Sequence, residues 1–453
     1  MDFIQHIEEV GGEIYLVGGC VRDRCFNLLF ETNIKPKDYD LLVLKMSLED
    51  LGHVLKDHGS VKEVGKAFGI LTFRPHAKYG IDSELELALP RTEKSTGTGY
   101  RDFEVISDPT ISITEDLMRR DTTINAMAYR LHKVSDLLSE VIDIHKIIDT
   151  TGGVEDLNKK IIRAVGDPFK RFLEDSTRIL RVYRQQSKYN LEIDPQTEQA
   201  IIEHHELLEE LVRVTPVRPT EELVRLLATD NMCKVIRQMR DRTKIFNIME
   251  LNIDDCIMRS LEYCIIHKHE IHIRFASLLQ NIDADRWIKK YELSAAPHFA
   301  KEHCKFIRLF YKNFHFLDEL AKSHDPNTTM RKFIQAVDKD RDQVIEDYVL
   351  LYETIIGEKS SLHMNLLNKN IYVIRTPAEL ILNGQILMEK YGIKGKDIGK
   401  VKSHLFKSIT ERMIPNELEV LENILTDEYS KYIPMNIPAN MNTHKNITCV
   451  FGK

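Results

Sequence analysis

Two acids stand two residues apart in the stretch KDYDLLV, at Asp38 and Asp40, and a glycine pair with an arginine precedes them in EIYLVGGCVRD. Side chains two apart on a strand point to one side, so the spacing predicts carboxylates projecting together while Tyr39 faces away. Carboxylates that close repel unless a divalent cation lies between them, and oxygen-preferring Mg2+ is the usual answer where a phosphate also binds. Such a pair can hold ions that activate an attacking hydroxyl and steady a leaving pyrophosphate. Alone, a D-x-D is equally a strand end with two solvated aspartates. The glycines add weight: Gly18 and Gly19 end the run EIYLV and precede CVRDRCFNLLF, which reads as a helix. Amides at that helix start would face a triphosphate, with Arg22 as a charged partner.

Further chemistry-bearing stretches follow in order. ELELALPR carries Glu84 and Glu86 at strand spacing, where an edge-strand acid facing water is the plain alternative to a third carboxylate. Residues 91–103, RTEKSTGTGYRDF, are rich in Gly, Ser and Thr and read as a loop. RRDTTINAMAYRL opens with Arg119, Arg120 and Asp121 and reads as a helix whose buried stripe is Ile124, Met127 and Ala128. Two arginines there suit triphosphate or ribose oxygens, although a solvated helix start with Asp121 as a favourable charge accounts for each residue singly. In EDSTRILR a helix would set Asp175, Arg178 and Arg181 at successive i+3 steps on one face. The plain reading of that row is an intrahelical ion pair worth about a few tenths of a kcal/mol.

GGCVRD with DYD, LALPRTEKSTGTGYRDF, EDLMRRDTTINAMAYRL and FLEDSTRILRVYRQQSKY together resemble the polymerase-β-like nucleotidyltransferases. The branch resembled contains class II CCA-adding enzymes and bacterial poly(A) polymerases, with the head signature, flexible loop, RRD motif and EDxxR motif in that order. The resemblance implies Asp38 and Asp40 as catalytic Mg2+ ligands and Glu86 as a candidate third acid. Gly18, Gly19, Arg22, Arg119, Arg120 and Asp121 would contact the nucleotide. Residues 91–103 would be a mobile loop that lets the site change from CTP to ATP. Asp175 and Arg178 would read the Watson–Crick edge of the incoming base, with Arg181 and Arg184 continuing toward phosphates or the RNA end. An Asp accepts from the amino group shared by C and A and cannot accept from O4 of U or O6 of G. The implied reaction is template-independent addition of CCA to tRNA from CTP and ATP; a poly(A) polymerase and a catalytically idle RNA-binding protein are the alternatives.

Positioning these residues requires more than one core, since a chain of 453 residues exceeds what one core supports. The fold expected is an α/β nucleotidyltransferase head, a small mixed sheet with helices, followed by an all-α neck, body and tail. IYLVGG, YDLLVL, ILTFRP and LELALPR supply the strands, and from about Asp156 the periodicity is helical. The expected boundaries are 1–130 for the head, 131–215 for the neck, 216–355 for the body and 356–453 for the tail. IHIRFASLLQNIDADRW in the body resembles an HD-domain phosphohydrolase stretch in which Gln280 and Asn281 replace the metal-binding His and Asp, so a degenerate HD domain is expected. His267, His269 and His272 read as surface or helix histidines. The tail run NGQILMEKYGIKGKDIGK resembles the class II tail, where Lys394, Lys396, Lys400 and Lys402 would grip tRNA phosphates. The last residues, with spaced Pro and Asn, read as irregular.

The net charge of −7 excludes a protein that coats nucleic acid indiscriminately, yet residues 159–188 gather nine Lys and Arg against three acids, so a local basic face is compatible with it. Seven cysteines without metal spacing fit a reducing compartment and read as small core residues. No apolar run reaches membrane length and the N-terminus is acidic, so a cytoplasmic protein is expected, with no membrane and no protein partner.

Overall fold

The computed structural model describes residues 1–35, 38–63, 69–95, 103–297, 299–322, 342–360, 377–412, 414 and 416–429. The chain divides into two compact units, Met1–Cys304 and Lys305–Lys453.

The first unit is built on a seven-stranded sheet. Its strands, with the ribbon that interrupts them, are β1 (Glu13–Val17), β2 (Asp40–Leu44), β3 (Gly59–Glu63), β4 (Ile70–Pro75), β5 (Leu85–Ala88), β6 (Arg91–Ser95), β7 (Phe103–Ser107), β8 (Met127–Leu131) and β9 (Ile147–Asp149). The sheet order is β3-β4-β5-β2-β1-β8-β9, and β6 with β7 forms a separate antiparallel pair. Neighbours are antiparallel except β2 and β5, which run parallel and set Asp40 beside Glu86. The central strands are apolar runs, as strands covered on both faces must be: four of the five residues of β1 and of β2 are buried. Tyr15, Val17, Leu42, Leu44, Leu117, Ala126 and Ala128 close one part of this core.

Two expectations for this region are corrected. RRDTTINAMAYRL is not a helix: a 3-10 turn at Thr123–Asn125 leads into β8. Ile124, Met127 and Ala128 are buried as expected, but MAYRL pairs between β1 and β9, and ladder bonding on both sides decides its conformation. Residues 91–103 are not a loop throughout, because both ends join the ribbon in register from Arg91 opposite Ser107 to Ser95 opposite Phe103. The stretch between, 96–102, lies outside the described residues. The edge strand β9 follows residue 130.

After the sheet the first unit is helical apart from a two-residue parallel pair, Ile161–Ile162 with Glu192–Ile193. Its helices include Pro168–Glu174, Thr177–Tyr189 and Val217–Leu227, and the last two of these pack against each other. Farther along, Gln280 donates to the Ser260 hydroxyl at 2.9 Å and Asn281 to Asp254 at 2.8 Å. His272 lies on the helix Ile271–Leu278, buried, and stacks on His303 with ring centroids 4.9 Å apart, while His269, just before that helix, is buried rather than on the surface. Cys20, Cys25, Cys264 and Cys304 are buried as expected, whereas Cys256 is exposed; Cys449 lies outside the described residues.

In the second unit Phe310 and Tyr348 pack ring to ring at 5.6 Å. Helices Gly384–Glu389, Lys396–Arg412 and Leu418–Tyr429 enclose a core of Leu382, Leu387, Leu405, Leu421 and Leu425. Lys394, Lys396 and Lys400 are exposed and Lys402 is half-buried. The terminal stretch expected to be irregular, 430–453, lies outside the described residues. Among the described residues no helix is long and apolar enough to cross a membrane.

Candidate active site

A cleft of about 430 Å³ opens at the ends of β1, β2 and β5 and is closed by the helices that follow the sheet. Its first wall is the turn after β1. Gly18 has φ +68°, a conformation that side-chain-bearing residues rarely adopt, and it caps the helix Gly19–Phe30 without a side-chain bond. A Cβ on Gly18 would lie 2.8 Å from Arg120 Nη1 and 3.5 Å from Asp40 Oδ2, so this glycine leaves room for a guanidinium and a carboxylate each to approach its bare backbone. Asp40 opens β2, and its register partner Glu86 lies in β5, an interior strand between β4 and β2. The edge-strand reading of Glu86 therefore falls. Asp38 stands in a bend just before β2 and is exposed, so the pair is not two residues of one strand. The two charges still interact. Loss of water in the cleft raises the Asp40 pKa, Arg120 opposes this, and the negative charge of Asp38 adds to the rise.

The second wall is cationic, with Arg91, Arg119, Arg120, Arg178, Arg181 and Arg218 all lining the cleft. The chain is acidic overall, yet here it concentrates guanidinium groups, as an anionic ligand requires. Arg119 and Arg120 are held from below by Asp116, whose side chain is fully buried and accepts from Arg119 Nη2 at 2.6 Å and Arg120 Nη2 at 3.0 Å. Burial would raise the Asp116 pKa, but the two guanidinium charges and their hydrogen bonds outweigh it and hold the carboxyl below the usual range. Asp116 was missed from the sequence. Its signal was an acid three and four residues before the arginine pair, which a helix turn brings onto their side.

Asp121 is a buried hub rather than a solvated helix start. It accepts from Thr122 N at 2.8 Å, Asn125 Nδ2 at 2.9 Å, Arg181 Nε at 2.7 Å and Gln185 Nε2 at 3.2 Å. Burial opposes ionisation, but Arg181 and the donated bonds win and keep its pKa well below normal. Arg22 does not line the cleft. It bonds Asp23 at 2.8 Å and also Asn125, and lies over the Tyr189 ring at 4.5 Å. The Tyr189 hydroxyl donates to Asp23 at 2.6 Å, joining the helix Gly19–Phe30 to the helix Thr177–Tyr189. Arg184 is also absent from the cleft wall and pairs with Glu222 at 2.6 Å.

Asp175 and Arg178 both line the cleft, but not as a row on one helix. Asp175 falls in the break between Pro168–Glu174 and Thr177–Tyr189, with extended backbone at φ −151° and ψ 103°. Its Oδ1 accepts from Thr177 N at 3.0 Å, a local bond that an Asp makes in preference to continuing a helix. Its Oδ2 accepts from Arg218 Nη2 at 3.1 Å. Arg178 pairs with Glu174 at 2.6 Å and donates to the Arg119 carbonyl at 3.0 Å, which ties the arginine segment to the helix Thr177–Tyr189. Of the residues singled out in the sequence, Gly18, Gly19, Asp40, Glu86, Arg119, Arg120, Asp121, Asp175, Arg178 and Arg181 line the cleft, and Asp38, Arg22 and Arg184 do not. Sequence reasoning also missed Arg91, Asn125 and Arg218 in the cleft wall. Asn125 had a signal in its place four after Asp121, whereas nothing around Arg218 distinguishes it.

Residues 14–163 match the family model for the Poly A polymerase head domain, and residues 190–250 match that for a probable RNA and SrmB-binding site of polymerase A. The CCA-adding enzyme of Lactobacillus helveticus is 26% identical over 444 residues, covering 94% of this chain and 96% of that one. Two solved structures share the fold. The Bacillus stearothermophilus CCA-adding enzyme in complex with CTP gives a TM-score of 0.63 at 21% identity, covering 95% of this chain and 96% of that one. The Thermotoga maritima CCA-adding enzyme complexed with tRNA gives 0.61 at 23%, covering 94% and 93%. With its motifs gathered around one cleft, the chain matches the poly A polymerase head domain over residues 14–163 and is similar to CCA-adding enzymes along nearly its whole length.

Proposed function

We propose that this chain adds C, C and A to the 3′ end of tRNA without a nucleic-acid template, using CTP and ATP and releasing pyrophosphate. The observation that carries this reading is that Asp175 and Arg178 line the same cleft as Asp40 and Arg120. A base held at the first pair leaves its triphosphate within the reach of the second.

In this reading Arg119 and Arg120, clamped by Asp116, take the phosphates, and the amides after Gly18 add donors without a side chain in the way. Asp121 and Asn125 fix the floor of the cleft and the Arg181 guanidinium above it. Asp175 accepts from the amino group of C or A, and Arg178 donates to the neighbouring ring acceptor. The terminal tRNA hydroxyl oxygen forms a bond to the α-phosphorus while the bond to the bridging oxygen breaks, so pyrophosphate carries away the electron pair.

The family normally uses a divalent metal, and the donors here suit one. Asp38 and Asp40 are hard oxygen donors whose mutual repulsion contributes to the raised Asp40 pKa, the kind of strain a cation relieves. Among the described residues they form no cluster of three protein ligands with Glu86. Mg2+ usually keeps waters and shares substrate phosphates. We assign Mg2+ to Asp38 and Asp40, where it would supply charge neutralisation at the attacking and leaving oxygens. Glu86 is kept as a candidate third acid. We also keep the four-part division into head, neck, body and tail, the degenerate HD body, and the cytoplasm as the place of action.

The test is to give the protein and Mg2+ a tRNA lacking its 3′ CCA, with each nucleotide singly and then CTP plus ATP, and to read product length. Extension that stops after CCA supports the reading. A long ladder with ATP alone makes it a poly(A) polymerase, and no extension with RNA binding retained makes it an idle RNA-binding protein.

A further inference from the structure

We infer that Arg218 is a positioning residue for nucleotide choice: it aims the Asp175 carboxylate at the base. The inference rests on Asp175 reading the base, as proposed for this chain. Asp175 sits between two helices, so neither helical ladder fixes where its side chain points. Its carboxylate accepts from the Thr177 amide on Oδ1 and from the Arg218 guanidinium on Oδ2. The first bond is local and moves with the chain. The second comes from a different helix, Val217–Leu227, and gives the carboxylate a direction in space.

That helix is a firm base. It packs against Thr177–Tyr189, and Glu222, one turn beyond Arg218, is buried and pairs with Arg184 of that same neighbour at 2.6 Å. Arg218 is therefore held in place relative to the cleft by residues outside it. A carboxylate oxygen has more than one acceptor site, so Oδ2 can keep Arg218 and still take one N–H of an exocyclic amino group. With Arg218 removed, the side chain of Asp175 loses the bond that directs it from another helix. Discrimination depends on an acceptor fixed opposite the place that O4 of U or O6 of G would take, so it weakens when the acceptor wanders.

The test compares kcat/KM for CTP against UTP and for ATP against GTP on a tRNA lacking the nucleotide to be added. Wild type, Arg218→Ala, Arg218→Lys, Asp175→Ala and the double alanine variant are measured side by side. Arg218→Ala is expected to lower both ratios by roughly ten- to a hundredfold. Arg218→Lys is expected to restore part of them, since it keeps a charged donor but not the planar fork. Adding Arg218→Ala to Asp175→Ala is expected to cost no further selectivity, because the two act through one carboxylate. An equal loss on all four nucleotides, or an effect that adds to Asp175→Ala, overturns the inference. If Arg218→Ala fails to fold by circular dichroism, the lysine variant carries the comparison, and an unchanged ratio there together with unchanged Asp175 coupling overturns it too. A wild type without preference for C and A shows that the reading of Asp175 itself has failed, before any substitution is made.

Discussion

Asp40 meets three demands at one point: it starts a central strand, it faces Glu86 across a parallel pair, and it approaches the bare backbone of Gly18 beside Arg120. Replacing Asp40 by Ala is expected to cut nucleotide incorporation by roughly a hundred- to a thousandfold, as loss of a group that stabilises transition-state charge does. Filter binding should show tRNA affinity retained, since the metal would be lost and the arginines kept. Asp116 acts one step back. Asp116→Ala leaves Arg119 and Arg120 without their buried counter-charge, and urea unfolding should show a loss of about 3 kcal/mol, with KM for CTP rising. Its pH dependence follows from the sign of the shift. The pKa is lower in the folded state, so the stability it contributes is fully present above the unfolded value near ~4 and is lost as pH falls through the folded one. The gap between unfolding curves at neutral pH and near pH 3 should therefore be smaller in Asp116→Asn than in wild type, the remainder coming from other depressed carboxylates such as Asp121.

Gly18 shows how an element boundary serves chemistry. Strand β1 must end and a helix begin while leaving room for Arg120 and Asp40, and only a residue without Cβ at positive φ does both. Gly18→Ala is expected to raise KM for both CTP and ATP by at least roughly tenfold, with thermal unfolding shifted by only a few degrees. Steady-state kinetics beside a melting curve separates the two effects. The strands β1, β2, β4 and β5 and the helix Gly19–Phe30 were legible because apolar runs bounded by glycine, proline and charge leave few other readings. The arginine segment was not, because Ile124, Met127 and Ala128 satisfy a helical period equally well, and only pairing with β1 and β9 decides for a strand. The break at Asp175 was hidden for a related reason. Its i+3 spacing to Arg178 looks helical, while an Asp can instead bond the amide two residues on. The residues of the cleft were thus readable to a larger extent than the backbone that presents them.

At the scale of the whole chain, every residue of the cleft belongs to the first unit, and the exposed tail lysines belong to the second. Replacing Lys394, Lys396 and Lys400 by Ala is expected to weaken tRNA binding while leaving KM for CTP unchanged. The plot of log affinity against log salt should flatten by roughly one for each phosphate no longer neutralised. An unchanged slope would remove these lysines from the RNA surface. Arg218 was invisible in sequence because it meets Asp175 only after the helices Thr177–Tyr189 and Val217–Leu227 pack. The bond between Tyr189 and Asp23 also ties the helix Gly19–Phe30 to the order of synthesis. The ribosome makes Asp23 and Asp40 long before Tyr189, and at about 5–20 residues per second the gap is on the order of ten seconds. Until then the helix Gly19–Phe30 lacks the ring that covers Arg22 and the hydroxyl that holds Asp23. A nascent chain arrested before the helix Thr177–Tyr189 has emerged should thus be open to protease around Gly19–Phe30, and one arrested well beyond Tyr189 should be protected.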